Sequence, residues 1–161
     1  MTGVGLIKAL SARVERAARN YKFEADNHPD KPVSVYQQYI PKSHLENRQG
    51  QYHPLIVVSL VGLEDDDETV ADVNLTFGVY GESDDTWLDL INLMETVRID
   101  LLSKPEVGRR YRLQMPLRME ISEAQPSPFF YGLIEARYWL ASPAEEGRDL
   151  SGWLQTRSVC D

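Results

Sequence analysis

Cysteine is almost missing from this chain. Cys160 is the only one among 161 residues, one position before the end of the sequence. A single cysteine excludes an intrachain disulfide and a zinc site built on cysteine pairs. Its position favours a simple tail thiol over a catalytic nucleophile. The low cysteine content is typical of a protein made in a reducing cytoplasm.

Long apolar runs are also missing. The longest, residues 55–63 (LIVVSLVGL), has the length of a strand and is interrupted by Ser59 and Gly62. A helix that crosses a bilayer needs about 20 apolar residues. The N-terminal sequence MTGVGLIKAL lacks the basic region and apolar stretch of a secretory signal. We therefore expect neither membrane insertion nor secretion.

The short motifs of common catalytic and ligand-binding sites do not occur either. Gly3 and Gly5 belong to no GxGxxG or GxxxxGK phosphate loop, and Ser59 has no GxSxG context. The three histidines lack metal-site spacing and are expected as solvated loop side chains; they are His28, His44 and His53. A metal site that combines them with the acidic residues 64–68 stays an alternative. We expect no catalytic residues, no cofactor, no metal and no enzymatic activity.

Charge is plentiful but unevenly distributed along the chain, whose formal net charge is −8. Residues 1–22 and 104–118 are rich in Lys and Arg, whereas residues 64–100 are strongly acidic. An acidic chain is a poor candidate for tight nucleic-acid binding, because that binding requires clustered cations. Segregated charge suits a subunit whose one side meets the other side of a copy. Ordinary solvated faces explain it equally well.

In the first half of the chain, apolar periodicity predicts one helix and three strands. The helix covers residues 4–22. A first strand over 32–40 should place three side chains on one face: Val33, Val35 and Tyr39. The nearly continuous apolar run 55–63 predicts a central strand covered on both faces. Strict alternation predicts another strand over 70–80, joined to the previous one as a hairpin with the acidic residues 64–68 at its tip.

The second half predicts a helix followed by two strands. The helix over 86–102 is capped by residues 83–85 and has an inner stripe: Trp87, Leu90, Ile91, Met94, Val97 and Leu101. A second apolar strip on this helix indicates a buried helix or one that meets a neighbour; it contains Leu88, Ile99 and Leu102. The strand over 111–121 alternates and should bend at Pro116. A turn at 125–128 leads into the strand over 130–140, which is apolar on both sides.

These elements predict a single α+β domain over residues 1–143, with a mainly antiparallel sheet of about five strands and two helices packed on one face. Residues 144–161 form a C-terminal extension. The second helix strip, the outer side of the last strand, the arginine row and the acidic cap provide candidates for a subunit interface. These candidates are Leu88, Ile99, Leu102, Tyr131, Leu133, Trp139, Arg110, Arg112, Asp84 and Asp85.

Four segments within residues 83–143 together form a recognisable pattern. An acidic pair, an aromatic residue and a helix (SDDTWLDLINLMETVRIDLL) are followed by the strand YRLQMPLRMEI. The acidic-Gln-Pro turn EAQPSPFFYG and a strand ending in ARYWLASP complete it. This pattern resembles the tail terminator family of tailed bacteriophages and prophages, also called tail-completion or minor tail proteins.

The resemblance implies a homo-oligomeric ring, usually of six copies, that caps the tail tube and presents a surface for head attachment. It implies the tail tube protein and the head–tail connector protein as partners, and DNA that passes through the lumen without specific binding. The protein would be made in the bacterial host cytoplasm and would reside in the virion, at the head-proximal end of the tail. It would have no enzymatic activity, cofactor or membrane association.

Three other functions stay open from the residues. A head–tail connector or neck protein of the same particle would share nearly every feature. A free cytoplasmic binding module is a further alternative, and a small cytoplasmic hydrolase that uses the loop histidines and acids is a distant one.

Overall fold

The computed structural model of the protein describes residues 2–19, 21–23, 32–45, 52–124 and 128–141. Its helices and strands are α1 (Gly3–Ala18), β1 (Ser34–Gln37), α2 (Lys42–Leu45), β2 (Leu55–Asp65), β3 (Thr69–Tyr80), α3 (Thr86–Ser103), β4 (Glu106–Val107), β5 (Tyr111–Ile121) and β6 (Phe129–Leu140). None of the helices in these described ranges is long and apolar enough to cross a membrane.

All the strands join one sheet in the order β1-β2-β3-β6-β5-β4. Neighbours are antiparallel except β1, which runs parallel to β2. The centre is the long β3–β6 pair, which extends from Thr69 opposite Leu140 to Tyr80 opposite Phe129. The predicted α+β class and the β2–β3 hairpin are therefore confirmed. The described sheet, however, has six strands instead of five and one parallel pair, and α2 adds a short third helix.

The core lies between one face of the sheet and the helices α1 and α3. Alternate residues of the two central strands point into it, because successive strand side chains face opposite sides. They are Val73, Leu75, Phe77 and Val79 from β3, and Ile134, Ala136, Tyr138 and Leu140 from β6. The sequence predicts these rows correctly. The opposite sheet face carries neither α1 nor α3.

The strands β2 and β5 are both interrupted. Pairing shifts between Leu60 and Gly62 in β2 and between Gln114 and Arg118 in β5. The second break contains Pro116, which has no N–H to donate to the ladder, as the sequence predicts. Beyond residues 55–58 the strand β2 loses its cover, so the prediction of a central strand buried throughout is wrong.

The predicted strand over 32–40 is shorter than expected. It ends at Gln37, and Tyr39 is 77% exposed instead of sharing a buried face. Gln38 has a positive φ of 70°, and its side-chain amide takes over the pairing. Its Nε2 donates to the carbonyl oxygen of Leu60 at 3.0 Å, and its Oε1 accepts from the Leu60 N–H at 2.8 Å. A side chain therefore replaces the next residue of the strand.

The helix α3 is rotated relative to its predicted phase. Trp87, predicted to face the sheet, is 47% exposed, and Ile91 is only half-buried. Thr86 and Asp89 are buried in their place. The Thr86 hydroxyl donates to the Ser83 carbonyl at 2.9 Å, and the Tyr21 hydroxyl lies 3.4 Å from the Asp89 carboxylate. These hydrogen bonds, one local and one to the distant Tyr21, let the polar side chains occupy the inner side.

Arg13 joins the two long helices. Its side chain is almost buried, and its Nε donates to Asp100 Oδ2 at 2.6 Å. Its Nη2 donates to the carbonyl oxygens of Asp100 at 2.8 Å and Lys104 at 3.3 Å, and Nη1 to that of Glu106 at 3.4 Å. The last carbonyls of a helix have no partner within the helix. The guanidinium therefore completes the C-terminal end of α3 and fixes the chain that leaves it.

Replacing Tyr138 with Phe should raise the free energy of unfolding by up to about 1 kcal/mol. The hydroxyl is fully buried and has no hydrogen-bond partner among the described residues, and this burial raises the pKa of Tyr138. Removing it removes an unmet desolvation cost. Urea denaturation followed by circular dichroism measures the change. Tyr21→Phe is the control and should be destabilising, because its hydroxyl bonds to Asp89. A loss of stability in Tyr138→Phe would contradict the prediction.

Several sequence predictions lie outside the described residues. They are the turn residues 125–127, the extension 144–161 with Cys160, and His28.

Candidate subunit-interface surfaces

The two ends of the sheet carry different surfaces. The strand β3 ends at Tyr80, and α3 begins six residues later at that same end. Tyr111 at the start of β5 pairs with Leu140, which also pairs with Thr69 at the start of β3. The residues before Tyr111 therefore lie at the opposite end of the sheet from the start of α3.

The first surface, which we call the acidic end, consists of Asp84, Asp85, Trp87 and Leu88 at the start of α3. Asp85 is the N-cap residue, but its side chain makes no capping hydrogen bond. Its backbone N–H donates to Ser83 Oγ at 3.2 Å. In the predicted cap at 83–85, the Ser83 hydroxyl therefore accepts a local hydrogen bond. The carboxylates of Asp84 and Asp85 are both exposed. They form no ion pair with any other described residue. Leu88 is 40% exposed beside them.

The second surface, which we call the arginine groove, has a volume of about 430 Å³. Its lining residues are Glu68, Glu106, Arg109, Arg110, Tyr111, Arg112, Trp139, Leu140 and Ala141. The turn before β5 shapes it, because Gly108 and Arg109 both have positive φ, 60° and 61°. Only Arg112 has an ion pair, with its Nη1 at 3.4 Å from Glu106 Oε1. Arg109 and Arg110 are exposed and lack an ionic partner across the described ranges.

Arg109 and Arg110 lie in this turn, so the predicted row of Arg110 and Arg112 is divided between the turn and β5. The groove brings together three of the predicted interface residues: Arg110, Arg112 and Trp139. The acidic end brings together three more: Asp84, Asp85 and Leu88. Sequence reasoning placed Trp87 on the inner side of the helix, whereas the structure exposes it two positions after the acidic pair.

The other four interface candidates lie elsewhere. Ile99 is 58% exposed on α3, while Leu102 is partly buried against the core. Tyr131 and Leu133 are half-buried on the helix-free face of the sheet. Tyr131 belongs to an aromatic cluster with Phe129, and burial raises its pKa. The structure does not join these residues to either surface.

Towards the groove end, the helix-free face pairs its own charges. Arg137 Nε donates to Asp72 Oδ1 at 2.8 Å across β3 and β6, and the Asp72 partner holds the pKa of Arg137 above its usual value. Arg118 pairs with Glu120 along β5. These four charged side chains of the helix-free face are therefore paired with one another.

His44 and His53 differ from the expected solvated loop residues. His44 lies in α2, with its Nδ1 2.9 Å from the Tyr36 hydroxyl and its ring stacked on Tyr52 at 3.9 Å between centroids. His53 is half-buried and packs against Phe129, with 5.1 Å between ring centroids. Across the part of the chain that the structure describes, no three His, Cys, Asp or Glu side chains gather as a metal site.

No family model matches the chain, and no curated protein matches it. Solved structures do match. One is a chain of the virion of a native gene transfer agent particle, with 14% sequence identity and a TM-score of 0.46. The alignment covers 88% of this chain and 100% of that chain. The surfaces described above carry the functional argument.

Proposed function

We propose that the protein is a structural virion protein, a tail terminator that assembles into a ring on the tail tube of a phage-type particle. One observation carries this proposal: the chain presents two surfaces of complementary charge, the acidic end and the arginine groove, at opposite ends of one sheet. Most of their charged side chains have no ionic partner among the described residues. A contact between different surfaces of identical copies is head-to-tail, and it closes into a ring when the rotation allows.

The resemblance of residues 83–143 adds the type of ring. These residues include α3, β4, β5 and β6, and α3 packs against β5 and β6. The segment that resembles the tail terminators is therefore a connected part of the fold. By the same resemblance the ring contains six copies, caps the tail tube at its head-proximal end and contacts the head–tail connector. DNA passes through its lumen without specific binding.

The proposal assigns the protein a structural role without catalysis or a cofactor. The protein would act by forming a surface in which one contact between subunits is repeated around a ring. Exposed ion pairs contribute only about 0–1 kcal/mol each, so a single contact is weak. Ring closure repeats the contact at every interface, and a template that binds the assembled form shifts the equilibrium towards it.

A mass measurement tests this function. We expect the purified protein to form a ring-sized species, of about six copies by the resemblance, when mixed with tail tubes. Mass photometry and electron microscopy with a labelled chain would measure the copy number and the position. A label at the head-proximal end of tails supports a terminator, whereas a label on tail-less heads supports the connector alternative. A chain that stays monomeric at high concentration and in the presence of tubes contradicts both.

A further inference from the structure

We infer that the acidic end of one copy, with Trp87 at its centre, binds in the arginine groove of a second copy. This inference rests on the proposed function, because it specifies the contact between neighbouring subunits. It also explains the exposure of Trp87. This large apolar side chain is 47% exposed although the same helix has a buried face.

The groove has unused positive charge. Three arginines and two glutamates line it, so it keeps one net positive charge. Arg112 is engaged by Glu106, but Arg109 and Arg110 have no ion pair with another described residue. Glu68, the last of the exposed acidic residues 64–68, also lines the groove, so the attraction for an incoming anion comes from the local excess of Arg109 and Arg110 over this one carboxylate. Trp139 adds an aromatic wall to the same groove.

The acidic end offers the complementary combination. Asp84 and Asp85 provide two exposed carboxylates, neither with an ionic partner in the described ranges. Trp87 and Leu88 provide apolar surface next to them. Tryptophan and arginine are the residues most enriched among those that dominate binding energy, and an arginine over an indole adds cation–π attraction.

The two surfaces cannot meet within one chain. They lie at opposite ends of β3, whose twelve residues extend over roughly 40 Å. The contact must therefore join different copies, and because the two surfaces are different it leaves a free groove and a free acidic end on every pair. Each pair can then accept further copies until the ring closes.

Charge reversal with rescue tests the inference on the full chain mixed with tail tubes. We expect R109E/R110E and D84K/D85K each to raise the protein concentration at half-assembly by about tenfold or more, because juxtaposed like charges oppose association. An equimolar mixture of the two variants should assemble again, since each offers the surface that the other needs. The chain with all four substitutions should also assemble. All these residues are exposed, so circular dichroism should show unchanged folding.

Two further variants sharpen the test. Trp87→Ala should weaken assembly without lowering the melting temperature, because removing this exposed side chain leaves the core intact. R16E/R19E is the matched control: it reverses two exposed arginines at the C-terminal end of α1 that do not line the groove, and it should assemble like the wild type. Salt that reduces the Debye length to about 3 Å should weaken the wild-type ring.

The outcomes separate the inference from the proposed function. If the wild type forms rings and the reversed variants form them equally well, the groove contact is wrong while the ring stands. If R16E/R19E alone prevents assembly, the acidic end meets α1 instead, and the inference is overturned. A wild type that never assembles on tubes overturns both.

Discussion

Replacing Arg13 with alanine is expected to lower the free energy of unfolding by about 3 kcal/mol, the lower part of the range for breaking a buried ion pair. The substitution leaves the Asp100 carboxylate without its partner and removes the donors to three backbone carbonyl oxygens. The lower part of the range applies because Asp100 keeps a side-chain exposure of 34%, so water compensates some of the lost interaction. Urea denaturation monitored by circular dichroism measures the loss.

Arg16 supplies the control for this prediction. It lies one turn along the same helix and lines the same surface depression, but it is exposed. Arg16→Ala should change the stability by less than about 0.5 kcal/mol. Arg13→Lys should recover only part of the loss, because one ammonium cannot reproduce the guanidinium fork. Equal losses in Arg13→Ala and Arg16→Ala would show that the buried network contributes nothing.

Replacing Gly132 with valine is expected to lower the stability by about 1–3 kcal/mol through overpacking. Gly132 of β6 packs against Met94 of α3: a Cβ atom placed at Gly132 would overlap the Sδ and Cε atoms of Met94. Met94 is completely buried, so its side chain has little free space into which to move. The glycine therefore serves close packing of the helix on the strand.

A double-mutant cycle isolates this contact. Met94→Ala alone should cost about 2–5 kcal/mol by leaving a cavity. In the chain with both substitutions, the valine occupies part of that cavity. The double variant should then lose at least about 1 kcal/mol less than the two single losses together. Additive losses would show that the two positions do not compete for the same space.

The alternating strands and the amphipathic helices were predictable because burial there follows apolar pattern. The phase of α3 was not, because Thr86 and Asp89 are buried through hydrogen bonds that a hydrophobic pattern does not register. The parallel pairing of β1 with β2 was not predictable either. The strand β1 is only four residues long, and its partner residues in β2 lie well beyond it along the chain. The network around Arg13 was hidden as well, because its acceptors lie far along the chain.

The candidate site was predictable in its parts and not in its grouping. Asp84, Asp85, Arg110 and Arg112 were identified from charge, and Trp139 from the two-sided strand. Their division into two surfaces depends on strand register, which puts the starts of β5 and β3 at one end of the sheet and the start of α3 at the other. No local pattern encodes that arrangement.

A subunit that associates through specific surfaces must also avoid pairing with other chains through the exposed backbone of its strand edges. Where β1 ends, the amide of Gln38 occupies the N–H and the carbonyl of Leu60, the two groups that an intruding strand would need. The left-handed backbone of Gln38 costs about 1 kcal/mol. Unpaired strand edges are templates for pairing with other chains. The strain at Gln38 is therefore the energetic cost of blocking this part of the edge. At this position, the backbone groups of Leu60 are occupied without a longer β1.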